Sequence, residues 1–258
     1  MLQPATPGTG ARQRSRILLL EADPELGNLL EPAALQRARS ELTVTWAPLE
    51  TGPWDVARLR TASIANAGLL VLSGVVAREV ALAGDVSTEL LGAGDLIRPF
   101  GVADEAQILD ASVRWNVIGS GRVAILDSGL MSRAAAYPGI AAMLMERIEA
   151  RSRRLATVKA IAQLTRVDER LVALVRHYCE RWGRVTGEGL LLPLCLSHRM
   201  LGELVGARRP SVSTAAAALE RSGRLSRRPD GTWLLRDAAV AARPAPQSVA
   251  QRRRLVPT

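Results

Sequence analysis

The chain is poor in several residue types that carry common chemistry. Aromatic residues make up only 3% of its 258 residues (one Phe, two Tyr, five Trp), so its cores have to be built from Leu, Val, Ile and Ala. Cys179 and Cys195 are the only cysteines, too few for a disulfide framework or for all four ligands of a cysteine-only cluster. The only histidines are His177 and His198. His177 and Cys179 sit two apart on a predicted helix and do not share a face. A zinc or haem site needs more converging ligands than this, so no metal ligand is assigned. No nucleophile elbow, P-loop or paired-carboxylate motif is present, so no catalytic residue is assigned and no enzyme is expected. No apolar run approaches the ~20 residues that span a bilayer. The run at 17–20 follows Arg12, Arg14 and Arg16 and stops at Glu21 and Asp23, too short for a signal-peptide core. A cytoplasmic protein without a membrane partner is the expectation.

What is present is positive charge carried by arginine. The net charge is +9, and Lys159 is the only lysine. Arginine presents a planar fork that matches phosphate and guanine, so the balance favours a polyanionic partner. A GC-rich genome also enriches Arg and Ala, and the two explanations are compatible. With 48% hydrophobic and 23% charged residues, the chain has the composition of a globular protein and the length for two modest domains.

The most informative stretch is 196–236. Ser197 suits a helix N-cap, and Met200, Leu201, Leu204 and Val205 follow at helical spacing. Gly206 allows a sharp turn. Pro210 suits the first turn of a second helix, whose apolar face is Val212, Ala215, Ala216 and Leu219. Gly223 ends it. Two short strands at 225–228 and 232–236 follow, joined at Pro229-Asp230-Gly231. Helix, tight turn, helix and hairpin make a winged helix-turn-helix. Eight arginines against Glu203, Glu220 and Asp230 leave this stretch at +5. Double-stranded DNA is the expected partner. The expected contact residues are Ser197, His198, Arg199, Arg208, Arg209, Ser211, Ser213, Thr214, Arg227 and Arg228. Arg at the start of a recognition helix can bond guanine O6 and N7, and Ser and Thr hydroxyls suit phosphates or bases.

Residues 202–213, Gly-Glu-Leu-Val-Gly-Ala-Arg-Arg-Pro-Ser-Val-Ser, resemble the recognition motif of bacterial cyclic-AMP-receptor/fumarate-nitrate-reductase (Crp/Fnr) regulators. The resemblance extends over about residues 16–237. It implies an α+β chain: a cyclic-nucleotide-binding-like β-roll (jelly roll), a long dimerisation helix, and the winged helix-turn-helix. By this resemblance Arg209, Ser211 and Thr214 fall on base- and phosphate-contacting positions. Pro210 and Thr214 stand where well-known members carry Glu and Arg, so their half-site does not carry over. The expected divisions are a disordered tail at 1–14, the sensor-like roll at 15–137, the dimer helix at 138–166, the DNA-binding domain at 167–237 and a flexible basic tail at 238–258.

The residues upstream agree. Between 42 and 127 the pattern is one of short strands separated by turns, at 42–47, 67–76, 77–83, 88–91, 95–99, 107–111, 112–118 and 121–126. Gly84-Asp85, Gly92-Ala93-Gly94-Asp95 and Gly119-Ser120-Gly121 read as the turns. The stretch 91–97 resembles the segment before the family's effector pocket. Arg98-Pro99 then stands where cyclic-nucleotide binders have Gly-Glu, and Leu109-Asp110-Ala111 where they have Arg-Ser-Ala. Leu109 cannot pair with phosphate and Asp110 repels it. Cyclic AMP and cyclic GMP are therefore not expected as ligands, and no cofactor is assigned. The effector-pocket candidates are Asp95, Arg98, Asp110 and Arg114, with Arg114 able to supply an anion site.

Leu144, Ile148, Arg151, Leu155, Val158, Ala162 and Thr165 alternate spacings of four and three, a coiled-coil seam interrupted by Arg151. The family's equivalent helix pairs two subunits, so the resemblance implies a homodimer, with RNA polymerase a further partner it allows. Asp168 is a plausible N-cap for the next helix, and the junction at 165–168 a hinge between sensor and reader. The expectation is a homodimeric transcription regulator that answers an effector other than cyclic AMP or binds DNA constitutively. The rival is a small-molecule sensor acting through protein–protein contacts with a vestigial reader.

Overall fold

The computed structural model describes residues 15–59, 68–99 and 110–236. The expected tails at 1–14 and 238–258, and the predicted strand positions 107–109, lie outside the described residues. The chain divides into two compact units, 1–153 and 154–258.

The first unit opens with β1 (Ser15–Leu18), a one-turn helix α1 (Leu19–Ala22), a 3-10 turn (Pro24–Gly27) and α2 (Pro32–Glu41). Strands follow: β2 (Thr43–Leu49), β3 (Gly52–Pro53), β4 (Gly68–Leu82), β5 (Asp85–Gly92), β6 (Leu96–Ile97) and β7 (Ala111–Leu126). They pair antiparallel in the order β1-β2-β7-β4-β5, with β3 on β7 and β6 on β4. α3 (Ser128–Ala134) is capped by Asp127, whose carboxylate accepts from the Leu130 N–H at 2.8 Å. α4 (Pro138–Ala162) follows.

The predicted strand pairs 67–76/77–83 and 112–118/121–126 are in fact two continuous strands, of 15 and 16 residues. Gly119-Ser120-Gly121 is a bend inside β7 and not a turn. The β4–β7 register slips between Val71 and Val76, and there the backbones nearly touch. A Cβ on Gly121 would lie 2.0 Å from the Ser73 carbonyl oxygen, and one on Gly74 2.6 Å from that of Gly119. Glycine on both strands lets them bend against each other while staying paired. The β4–β5 turn is Ala83-Gly84, one residue earlier than expected, with φ of 51° and 87°. This left-handed pair is the geometry that suits a two-residue hairpin.

Both faces of the sheet are buried where β4 and β7 pair. Leu70, Ala124 and Leu126 face a core shared with Leu20, Leu26, Leu130, Ile140 and Leu144. Leu69, Val71, Val123 and Ile125 alternate to the other side, against Leu49, Leu91, Ile97 and Val117. α4 is tied to this unit by two arginines one turn apart. Arg147 forks onto Asp23, and Arg151 forks onto Glu89 at 2.6 and 2.7 Å. The structure therefore splits the predicted seam. Leu144 is buried in the unit's own core and Arg151 serves an internal ion pair, while Ile148 and Leu155 remain exposed beside Met145.

The second unit contains the end of α4, then α5 (Val167–Trp182), β8 (Arg184–Thr186), β9 (Gly189–Leu192), α6 (His198–Val205), α7 (Arg209–Arg221), β10 (Leu225–Arg227) and β11 (Trp233–Leu235). The predicted hairpin is half of a four-stranded sheet, β10-β11-β9-β8. β9 stops at Leu192, before Pro193, which has no N–H for a ladder. Asp168 is not an N-cap: α5 starts at Val167, and Asp168, in its first turn, holds Arg166 at 2.8 Å. The Arg166 hydrogen bond keeps the Asp168 carboxyl below its ordinary value. Leu171, Leu174, Val175, Leu201, Val205, Val212, Leu219, Leu225 and Trp233 form the unit's interior. The Trp233 indole N–H donates to the Leu196 carbonyl at 3.1 Å, which satisfies the one polar atom of that buried ring.

Candidate nucleic-acid interface

The turn between α6 and α7 is set by three local devices. The Ser197 hydroxyl accepts from the Met200 N–H at 3.2 Å, as its N-cap role requires. Gly206 ends α6 with φ 63°, in the left-handed region. Gly202 brings the helix against the turn, where a Cβ would meet the Ala207 carbonyl oxygen at 2.4 Å. Sequence reading assigned no role to Arg170. From α5 its guanidinium donates to the carbonyls of Val205 and Gly206, each at 3.2 Å, and to that of Leu164 at 2.6 Å. It thus satisfies carbonyls that the end of α6 leaves open, and it places positive charge where the helix dipole is negative. The only signal in the sequence is a charge on a helix otherwise read for its apolar stripe.

α7 presents its first turn to solvent. Arg208 occupies the cap position, and Arg208, Arg209, Ser211 and Thr214 are exposed, with Pro210 in that first turn. Val212, Ala216 and Leu219 turn inward. Arg227 ends β10 and Arg228 begins the turn to β11, both exposed. That turn is fixed by Asp230, whose carboxylate accepts from the Thr232 N–H at 3.0 Å and from its hydroxyl at 2.6 Å.

His198 lies between these two basic groups. Its Nδ1 is 3.0 Å from the Ser213 hydroxyl, and its ring centroid is 5.9 Å from that of Trp233. Partial burial, then the charges of Arg227 and Arg209, hold its imidazole below the ordinary value, so the neutral ring is favoured. Ser213 on α7, and Trp233, which pairs with Arg227 across the hairpin, set His198 between the second helix and the wing. Three of the predicted contact groups have local duties as well. Ser197 caps α6, Thr214 donates its hydroxyl proton to the Pro210 carbonyl at 3.1 Å, and Arg199 pairs with Glu203 at 2.8 Å. Arg208, Arg209 and Ser211 lie on one exposed turn, and Arg227 and Arg228 are exposed on the wing.

The predicted effector-pocket residues do not converge. Asp95 is buried and accepts from the Gly92 N–H at 2.8 Å, which makes it the clasp of its own turn. Asp110 is exposed just before β7. Arg114 pairs with Glu79 at 3.3 Å and lines an outer cavity of about 470 Å³ beside Trp54. Arg98 lines an adjoining cavity of about 370 Å³ that shares Trp115 with the first, together with Arg78 and Arg151. Among the described residues no three His, Cys, Asp or Glu side chains come together as a metal site, and no helix is long and apolar enough to cross a membrane.

Solved structures share this fold. A cyclic nucleotide-binding domain-containing protein of Listeria monocytogenes EGD-e aligns over 84% of this chain and 98% of its own, with a TM-score of 0.62 and 14% identity. FixK2 of Bradyrhizobium japonicum aligns over 76% and 94%, with a TM-score of 0.56 and 19% identity. A CRP-family transcriptional regulator of Thermus thermophilus aligns over 75% and 93%, with a TM-score of 0.55 and 18% identity. The chain thus has the fold of these proteins. No protein-family model matches the sequence, and no curated protein sequence matches it.

Proposed function

We propose that this chain is a sequence-specific DNA-binding transcription regulator of the Crp/Fnr type, acting as a homodimer. The observation that carries the reading is the exposed first turn of α7. Arg208, Arg209 and Ser211 are free of the core there, Pro210 pre-sets the helix start, and Arg227 and Arg228 are exposed on the wing. A helix that enters the major groove by its N-terminus offers bases these side chains, while the wing meets neighbouring phosphates. The fold shared with a CRP-family transcriptional regulator supports the same reading.

Homodimerisation is supported by α4. Met145, Ile148 and Leu155 are large apolar side chains left 65%, 44% and 41% exposed, at spacings that put them on one stripe. A dimer presents two α7 helices to half-sites about 34 Å apart. The effector, in this reading, is not a cyclic nucleotide: Arg98-Pro99 stands in place of Gly-Glu, and Asp95 is committed to its turn. The test is fluorescence anisotropy with DNA from upstream of the chain's own gene against a scrambled duplex, at two salt concentrations, with and without cyclic AMP. A preference of at least ~10³-fold for one sequence, insensitive to cyclic AMP, is the expected result. Equal, steeply salt-dependent binding to both duplexes overturns specific recognition at that site.

A further inference from the structure

We infer that Arg170 sets the spacing at which two half-sites are recognised, by clamping the end of α4 to the turn that begins α7. This role belongs to the DNA-binding homodimer proposed above and rests on that reading.

Arg170 stands near the start of α5, half-buried between two helix ends. On one side is the turn that closes α4, where the Gln163 and Leu164 N–H groups bond back to the Ala160 and Ile161 carbonyls at 3.0 and 3.1 Å. The Arg170 Nε donates to the Leu164 carbonyl at 2.6 Å. On the other side is the close of α6, where the Ala207 N–H donates to the Gly202 carbonyl at 2.9 Å. The Arg170 Nη1 donates there to the Val205 and Gly206 carbonyls, and Arg208, two residues on, is the cap of α7. One guanidinium thus spans both ends. They also adjoin directly, since a Cβ on Gly206 would lie 3.8 Å from that of Ala162.

The charge of Arg170 is not answered by an acid. Asp168 and Glu169 beside it pair with Arg166, at 2.8 and 3.8 Å, and among the described residues the Arg170 guanidinium bonds only to carbonyls. A charged donor holds a carbonyl more strongly than a neutral one, and two helix C-termini offer it negative dipole ends. The planar fork fixes direction as well as distance. Turning α6 and α7 about the end of α4 breaks at least one of these bonds. Leu155, in the proposed subunit contact, lies two turns before α4 ends and within the same compact unit. The clamp therefore ties each α7 to the helix that pairs the subunits, and through it to the other α7. One extra base pair between half-sites shifts one of them by about 3.4 Å and by about a tenth of a turn. A rigid clamp penalises that displacement and a slack one absorbs it. Arg170 touches no base, so it is a positioning residue, and its loss leaves the preference for bases in place.

The probes are duplexes that the full-length wild type selects from a random library, remade with the half-sites one or two base pairs closer or further apart. Anisotropy reads binding. The wild type is expected to favour its own spacing by about tenfold or more, and Arg170→Gln by less than about twofold, with the preference among half-site bases unchanged. Arg170→Lys keeps the charge between the helix ends without the fork, so it should melt close to the wild type and still tolerate altered spacing. It decides alone if circular dichroism finds Arg170→Gln unfolded. A wild-type spacing preference in folded Arg170→Gln overturns the inference, and so does its recovery by lysine, since charge without the fork then suffices. Loss of base preference along with spacing preference overturns it as well, and makes Arg170 a support of the reader's fold. A wild type that selects a half-site sequence but accepts every spacing overturns it with DNA recognition intact, whereas one that selects no sequence overturns the DNA-binding reading and this role with it.

Discussion

A single side chain in the second unit joins the proposed recognition helix to the wing. His198 touches Ser213 on α7 and Trp233 on β11, and it feels Arg209 and Arg227. Its imidazole is held below the ordinary value, so the unfolded chain takes up this proton first as pH falls. Stability from His198 is present above about pH 6.5, its unfolded value, and declines below it until the folded ring is protonated too. Thermal melting of the wild type and His198→Gln between about pH 8 and pH 5 checks this: the variant should lose part of the acid-side slope. Arg209 has a different role. It is exposed at the head of α7, so Arg209→Ala should leave stability unchanged. On the true operator the same change should cost about 1–3 kcal/mol and flatten sequence preference. Anisotropy with operator and mismatched duplexes separates that result from a uniform loss, which would make Arg209 a phosphate contact. Residues whose duty is local were legible in the sequence. Ser197, Gly206 and Pro210 act on the backbone beside them, and they stand as read. Arg151 was misread because its partner Glu89 lies 62 residues away in the chain, whereas Asp95 and Asp168 bind Gly92 and Arg166, three and two residues away, and there the motif reading assigned the charge to another duty.

At the scale of elements, the winged helix-turn-helix was legible because turns, caps and apolar spacing act within a few residues. The roll was harder. Glycines that mark turns in most sequences mark a bend here, since β4 and β7 cross backbone to backbone at Gly74 and Gly121. Gly121→Ala is therefore expected to destabilise the first unit by about 3 kcal/mol, read from urea unfolding, because the obstruction at 2.0 Å is a backbone oxygen that cannot rotate away. A loss under about 0.5 kcal/mol, the range of an ordinary surface change, would mean that the strands separate readily there. α4 was read as one seam, but one of its faces is claimed by its own β-domain through Leu144, Arg147 and Arg151. The proposed subunit contact is left with Met145, Ile148 and Leu155. Leu155→Arg should yield monomers by light scattering at concentrations where the wild type is dimeric. Dimers that persist would place the contact on another surface.

At the scale of the whole molecule, α4 belongs to both units. Ile140 and Leu144 complete the core of the first, while Ile161 is buried in the second, where Ala162 adjoins Gly206. The boundary by contacts, between Arg153 and Arg154, falls inside a continuous helix of 25 residues, about 37 Å long. The two units therefore share one element along the chain, as spliced timbers share an overlap. A cut before Pro138 strips the first unit of part of its interior, and a cut after Ala162 strips the second. Fragments made to study either half must both carry the helix, and a chimaera that exchanges one half for a relative's has to cross over within α4, at a point that keeps each end with the core it fills.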